Sequence, residues 1–460
     1  MKNQEIDHYV KSLVYDYREL LSSADINHPK ALPGLTKTDK SVIICTNTEK
    51  KISTEFKEVS ILSPANGVIF PGALLLANRD LAEGKPQAIT LSRAPLTLRV
   101  DLPNYKGVQV VENPKNSSVE SAIDNLISDW KKTVGATGQD ISARMSKEIK
   151  KAHSTSQLST DLGFNVKWAS NEIKNHLNYE KKSSESTVVA FFKQIYYTVT
   201  IDLPNEPSSV FTDDVKVEDV QRATNAQNPP AYVKSVDYGR IILMRMDTKS
   251  SSSKLDLENT LKMITSGGTE FDTSSKNKYK QIADNSSVTV LVLGGGAEVA
   301  ADIFSPDGFN EIPKIIKNGI KFTEKNPAYP ISYTVNFLKD HQFAAMPIST
   351  DYIETECVEH PAGFIRMING SGCITNFQVK WKETNDQGNL VEKSFNSGDK
   401  NNGYDHKLYL PGDATQVRIL GKAAVFIKTW KEIINEVEYG PTNKTYAIRG
   451  SIGKLKKDIS

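Results

Sequence analysis

Three thiols and seven imidazoles are the most reactive side chains in this 460-residue chain, and their spacing assembles no catalytic or metal-binding pattern. Cys45, Cys357 and Cys373 stand far apart, with no Cys-x-x-Cys pair to seat zinc or run dithiol exchange. They read as structural thiols, packed like small apolar residues. There is no His-Glu-x-x-His, no Gly-x-Ser-x-Gly and no phosphate-cradling Gly-x-x-x-x-Gly-Lys-Ser/Thr. Residues 399–405 (DKNNGYD) gather acids and amides around a glycine, but lack the spacing and closing glutamate of a calcium loop, so a solvated turn is expected. No metal, cofactor or enzymatic activity is expected.

What the residue types can do instead is change partners. In residues 250–281, Leu255, Leu257, Leu261 and Met263 fall on odd positions, with Asp256, Glu258, Thr260 and Lys262 between them. That is the period-two pattern of a strand with one apolar and one polar face. Leu257, Leu261 and Ile264 also form a helix stripe. Gly267-Gly268 follows, the dipeptide a tight hairpin turn favours because both central residues take positive φ. Beyond it, Phe271 and Tyr279 return to odd positions. Residues 154–186 repeat the pattern, with Leu162, Phe164, Val166 and Trp168 alternating against Asp161, Gly163, Asn165 and Lys167. Both segments are compatible with helix in one state and amphipathic hairpin in another.

Each ambivalent segment feeds a committed strand. Residues 187–201 (TVVAFFKQIYYTVTI) are too rich in β-branched and aromatic side chains for anything but a strand in a large buried sheet, and 287–293 follows the second segment in the same way. Residues 233–246 read as a long strand interrupted at Tyr238-Gly239-Arg240, and 331–338 as another. Residues 7–22, 119–130 and 306–318 carry helical spacing. From about Gly363 short strand runs recur between Gly-, Asn- and Asp-rich turns, the rhythm of a separate all-β sandwich.

Composition sets bounds. A chain this long exceeds what one core supports, and apolar residues make up 38%, enough for several domains. A net charge of +2 gives no electrostatic case for nucleic acid. Mean hydropathy is −0.41 and no apolar run approaches the ~20 residues a membrane helix needs. The N-terminal MKNQEIDHYV lacks the basic and apolar regions of a secretory signal, which is expected to be absent or already removed.

The colinear motifs LSRAPLTLRVDLP (91–103), VENPKNSSVESAIDNLISDW (111–130), FFKQIYYTVTIDLP (191–204), VFTDDVKVEDV (210–220), YGR (238–240), NPAYPISYT (326–334) and TDYIET (350–355) together resemble the thiol-activated, or cholesterol-dependent, cytolysins. The resemblance implies an α+β, elongated multi-domain pore-forming toxin fold of the MACPF/CDC-like type. A central twisted antiparallel sheet is flanked by helical clusters, and a C-terminal β-sandwich binds membrane. The implied division is a discontinuous first domain (1–25, 68–153, 202–249, 326–349), an elongated β linker (26–67, 350–362), a third domain with the inserting clusters (154–201, 250–325) and the sandwich (363–460).

By that resemblance the chain is a secreted toxin that is soluble as a monomer and then embeds in a target membrane. It forms a homo-oligomeric ring and inserts two amphipathic hairpins per subunit into a large β-barrel. Leu162, Phe164, Val166, Trp168, Leu255, Leu257, Leu261, Met263, Phe271 and Tyr279 would face lipid. Phe192 and Phe337 would be the aromatic pair, from the first and last core strands, that sets register between neighbours. Gly294, Gly295 and Gly296 would be the hinge beside the element covering the sheet edge.

The tip departs from the family. Its Trp-rich undecapeptide corresponds to residues 421–431, GKAAVFIKTWK, which keep Trp430 and the basic Lys431 and offer Val425, Phe426 and Ile427 as wedges. The sterol-reading Thr-Leu pair corresponds to Ser451–Gly453, where SIG stands instead. Cholesterol binding is therefore not expected, and another receptor or a second, related subunit is. The alternative is a non-inserting partner subunit or adhesin with the same fold.

Overall fold

The structure, a computed structural model, describes residues 2–24, 31–38, 41–62, 67–164, 171–177, 185–249, 253–294, 301–385, 387–426 and 429–460. The chain opens with α1 (Lys2–Ser12), α2 (Tyr17–Leu20), β1 (Ser23–Ala24), β2 (Leu35–Lys37), β3 (Ser41–Phe56) and β4 (Glu58–Ser60). It continues through β5 (Leu74–Leu76), α3 (Arg79–Ala82), β6 (Leu96–Val100), β7 (Val108–Val111), α4 (Asn116–Thr133) and β8 (Arg144–Lys151). The ambivalent and central parts follow as α5 (Thr155–Asp161), α6 (Asn171–Leu177), β9 (Ser186–Ile201), α7 (Val217–Ala223), β10 (Pro230–Thr248), α8 (Lys254–Ser266), α9 (Thr273–Ala283), β11 (Ser286–Leu293) and β12 (Ala301–Phe304). Then come α10 (Ile312–Asn318), β13 (Tyr329–Phe337) and β14 (Met346–Pro361). The last strands are β15 (Gly363–Ser371), β16 (Thr375–Thr384), β17 (Leu390–Lys400), β18 (Asp405–Leu410), β19 (Thr415–Phe426), β20 (Thr429–Glu438), β21 (Lys444–Gly450) and β22 (Lys456–Ile459). Two compact units result, Met1–Lys30 with Glu49–Glu354 and Ala31–Thr48 with Thr355–Ser460.

In the larger unit β9 and β10 are the axis of a sheet ordered β12-β11-β10-β9-β6-β7, with β8 on β9 and β13, β4 and β5 on β10 or its neighbour. The strand pairs β9–β10, β10–β11 and β8–β9 are antiparallel. Val188–Phe192 are buried without a break because both faces are covered, which is why the run carries no polar alternation. One face presents Val188, Ala190, Phe192, Ile242, Met244, Met246, Val288 and Val290 to a core shared with Leu257, Leu261, Ile282, Ile312 and Ile316. The opposite face presents Val189, Phe191, Ile241, Leu243 and Leu291 to Ala152, Leu158, Leu162, Phe164 and Ile173. The described parts of the two ambivalent segments therefore seal opposite faces of one sheet.

Four sequence expectations change. β10 is not interrupted at Tyr238-Gly239-Arg240, where a bulge shifts its register against β9 instead. A Cβ on Gly239 would lie 1.9 Å from the Gln194 carbonyl oxygen, so only glycine allows the strands to meet there. The 7–22 helix is two helices, α1 and α2, the second started by Asp16, whose side chain accepts from Arg18 N at 2.9 Å. The 306–318 helix is a 3₁₀ turn over Pro306–Glu311 running into α10. Cys45 and Cys357 are not free thiols but a disulfide between β3 and β14, which pair side by side, and Cys373 alone stays a free buried thiol. Closure of so distant a pair follows from strand adjacency, which no local spacing encodes.

The smaller unit carries the sandwich, sheets β18-β15-β21-β22 and β17-β16-β19-β20. Ile365, Met367, Phe377, Val379, Val417, Ile419, Ile434, Tyr446 and Ile448 fill the space between them. At Gly421 a Cβ would sit 3.1 Å from Ile434, a close approach that glycine permits.

Candidate membrane-inserting and membrane-binding elements

Helix α5 is set by a capping box. Ser154 Oγ accepts from Gln157 N at 3.0 Å, and Gln157 Oε1 accepts from Ser154 N at 3.4 Å and His153 N at 2.8 Å. Leu162 ends it and Gly163 follows at φ +79°, so the alternation that begins at Asp161 is spent on a helix terminus rather than a strand. Leu162 and Phe164 are buried against the sheet, the Phe164 and Phe191 rings lying 5.3 Å apart. Val166 and Trp168 lie outside the described residues.

In the second segment Ser253 Oγ accepts from Asp256 N at 3.2 Å to start α8, and Asp272 accepts from Ser275 N at 2.9 Å to start α9. Gly267 and Gly268, at φ +69° and +72°, close α8, with Gly268 N donating to Met263 O at 2.9 Å. Both already hold the positive φ that a hairpin turn needs. Leu257 and Leu261 are fully buried, Met263 and Phe271 half-buried, and Tyr279 is buried with its ring edge-on to Phe271 at 5.4 Å. Leu255 is 65% exposed. The helix stripe thus hides part of the odd-numbered apolar set and leaves the rest in water. Burial of Leu257 and Leu261 stabilises the seat by roughly 1.5–3 kcal/mol each.

Phe192 and Phe337, expected to meet between neighbouring subunits, lie on separate strands of one chain. Phe192 lies on β9, flanked by Lys147 of β8 and Ile242 of β10, and is buried beneath the second segment. Phe337 lies on β13 opposite Ala231, packed 5.0 Å from the Tyr15 ring. Neither is on a first or last strand, because 331–338 joins the sheet along the opposite end of β10 from β11.

The edges belong to other strands. Beside β9 the edge is β8, whose Arg144, Lys147, Glu148 and Lys150 blunt it against stray pairing. Lys147 Nζ donates to Thr265 of α8 at 3.1 Å, and burial there holds its ammonium below the ordinary lysine range. The other edge is β12, whose residues Ala301–Phe304 cover β11 at Leu291–Val288. Helix α10, which follows β12, is held by Gln194 Nε2 donating to Ile316 O at 2.9 Å and by Arg240 donating to Ile315 O. Gly294, beside this cover, has φ +83°, and Gly295 and Gly296 lie outside the described residues.

At one end of the sandwich, β19 and β20 close a hairpin in which Ala424 faces Trp430 and Phe426 faces Thr429. Phe426 is 75% exposed, Trp430 and Lys431 are exposed, Val425 is half-buried and Ile427 lies outside the described residues. Backbone bonds gather two further loops there: Ala424 N donates to Ile374 O at 2.9 Å, and Gly372 N to Gly450 O at 3.0 Å. They bring exposed Ile374 and Ile452 beside the hairpin. Neither isoleucine stands out in the sequence; the signal was an apolar residue isolated between turn formers.

The thiol-activated cytolysin profile matches residues 5–360, and that of the thiol-activated cytolysin beta sandwich domain matches 364–454. The chain is 34% identical over 454 residues to perfringolysin O of Clostridium perfringens, covering 96% of this chain and 89% of that protein. It is 36% identical over 428 residues to tetanolysin of Clostridium tetani, covering 91% and 80%. The crystal structure of wild type pneumolysin superposes with a TM-score of 0.88 at 26% identity, covering 100% and 98% of the two chains. The chain belongs to the thiol-activated cytolysins, a family of pore-forming toxins.

Proposed function

We propose that this cytolysin is a secreted protein that docks on a target membrane through the exposed end of its C-terminal sandwich, assembles edge to edge with copies of itself, and inserts residues 154–186 and 250–281 as two amphipathic hairpins. It acts by opening a barrel, with no enzymatic step. The observation that carries this reading is the pair of helical segments on opposite faces of the β9–β10–β11 sheet, each joined directly to a strand of it and each holding an alternating apolar set. Amphipathic strands cross lipid as a closed barrel, in which every backbone group is paired and each strand needs ~9–11 alternating residues. Extension of β8–β9 and β10–β11 into these segments supplies such strands.

The sandwich tip supports docking but not the family's sterol contact. Phe426, Trp430, Ile374 and Ile452 settle at headgroup depth, and Lys431 stays in water above them. Another receptor or a related subunit supplies the remaining affinity. The test is dye release from liposomes, scored beside electron microscopy of the bound protein. Release accompanied by rings supports the proposal. Bound protein that neither assembles nor releases dye under any lipid composition, with or without lysate of a target cell, defeats it.

A further inference from the structure

We propose that the cavity enclosed by the segments leading into β5, β6 and α4 is a binding site for an aliphatic monocarboxylate, whose head group meets Arg93 and whose chain lies on Leu74 and Ile89. The cavity lies within the larger unit and has a volume of about 760 Å³. That falls inside the roughly 300–1,000 Å³ of small-molecule sites. Among the described residues, none of the inserting or tip residues lines it.

Arg93 is the unusual group in its wall. Nε donates to Val210 O at 3.2 Å and Nη2 to Gly72 O at 2.9 Å, both neutral carbonyls, and among the described residues Nη1 has no hydrogen bond and no carboxylate stands within ion-pair distance. Burial lowers the guanidinium to about 10. A cation that has lost much of its water and found no counter-ion is costly, and a planar guanidinium is suited to a carboxylate that a ligand would bring. Thr212 lines the same cavity, and its Oγ1 is buried with no hydrogen-bond partner among the described residues. Buried hydroxyls are nearly always bonded, so this one is a second unmet demand. Rotation about its χ1 would let it donate to the same carboxylate.

The rest of the lining sets the kind of anion. Ala73, Leu74 and Ile89 form a buried apolar floor that asks for a hydrocarbon body. Glu112 and Asp214 line the cavity as exposed carboxylates, and their charge opposes a dianionic phosphate more than a singly charged head group. Lys115 and Asn116, at the start of the 18-residue α4, add positive potential to the wall. A fatty-acid-like anion answers both the floor and Arg93, whereas inorganic phosphate answers only the arginine and an alcohol only the floor.

The experiment titrates the full chain in solution, without membranes, with sodium decanoate below its micelle-forming concentration, followed by calorimetry and by the melting temperature. Decanol and inorganic phosphate are the comparison ligands. The expected result is one saturable decanoate site per chain, a melting temperature that rises with decanoate, and binding of decanol and phosphate weaker by about tenfold or more. Arg93→Met should weaken decanoate by about tenfold and leave decanol unchanged. Ala88→Trp, at an exposed position of the lining, fills the cavity while keeping both Arg93 hydrogen bonds, so it should fold and exclude decanoate even if Arg93→Met does not fold. The proposal is overturned by the absence of saturable decanoate binding, by decanol binding as tightly as decanoate, or by a folded Arg93→Met or Ala88→Trp that binds decanoate as the wild type does. Phosphate binding more tightly than decanoate would overturn it too, and give the site to an inorganic anion. None of these outcomes depends on pore formation.

Discussion

At Gly239 the distance between two strands is decided by the absence of one carbon. Gly239→Ala would place a Cβ 1.9 Å from the Gln194 carbonyl oxygen, and backbone on both sides must move. The expected loss is more than about 2 kcal/mol, read as a fall in the urea midpoint. Glu58 makes a second single-residue test. Burial pushes its carboxyl up, but the Lys193 ammonium, donating at 2.6 Å, and the Ser332 hydroxyl more than offset this and hold it below its ordinary 4.5. A carboxyl lowered in the folded state adds stability that is full above 4.5 and is lost as pH falls through the depressed value. The urea midpoint of the wild type should therefore drop more steeply between about pH 6 and about pH 3 than that of Glu58→Gln. Parallel profiles would show that the pair contributes nothing.

At the scale of one element, helix and hairpin make opposite demands on Leu255. In α8 its side chain is 65% exposed, so Leu255→Lys should leave thermal stability unchanged within about 0.5 kcal/mol. In a hairpin it shares the lipid-facing side with Leu257 and Leu261, where a lysine costs ~2–4 kcal/mol near the bilayer midplane. The expected outcome is normal folding and membrane binding with strongly reduced dye release. Leu257→Lys is the contrast: that residue is fully buried, so the same charge should lower the melting temperature of the monomer. Normal release by Leu255→Lys would remove this helix from the barrel.

For the whole molecule the open quantity is what brings it to a membrane. The tip offers four exposed apolar side chains, worth roughly 1.5–3 kcal/mol each only if fully buried, against the cost of immobilising the protein. Titrating the protein alone against liposomes of rising cholesterol should give weak binding without a sterol threshold. Trp430→Ala with Phe426→Ala should abolish what binding there is and lower the melting temperature little, because Phe426 is 75% and Trp430 38% exposed. Tight binding that switches on with cholesterol would overturn this expectation.

The sequence by itself determined the elements whose pattern is local. The aromatic and β-branched density of β9, the stripe of α4, the recurrent strands after Gly363 and the double periodicity of 250–281 follow from neighbours within one turn or one pleat. Colinear motifs carried the family. Only the tertiary structure decided which of two compatible states the ambivalent segments take: the helix wins in the monomer because β9, β10 and β11 offer an apolar face for Leu257 and Leu261 to enter. It also decided everything that depends on partners distant in sequence. Phe192 and Phe337 look equivalent as aromatic residues in strands, yet their places are set by strand order, in which β9 lies between β8 and β10, and β13 between β10 and β4. Ile374 and Ile452 meet the tryptophan hairpin through backbone bonds between loops. Cys45 and Cys357 find each other because β3 and β14 pair, a fact of topology with no local periodicity to announce it.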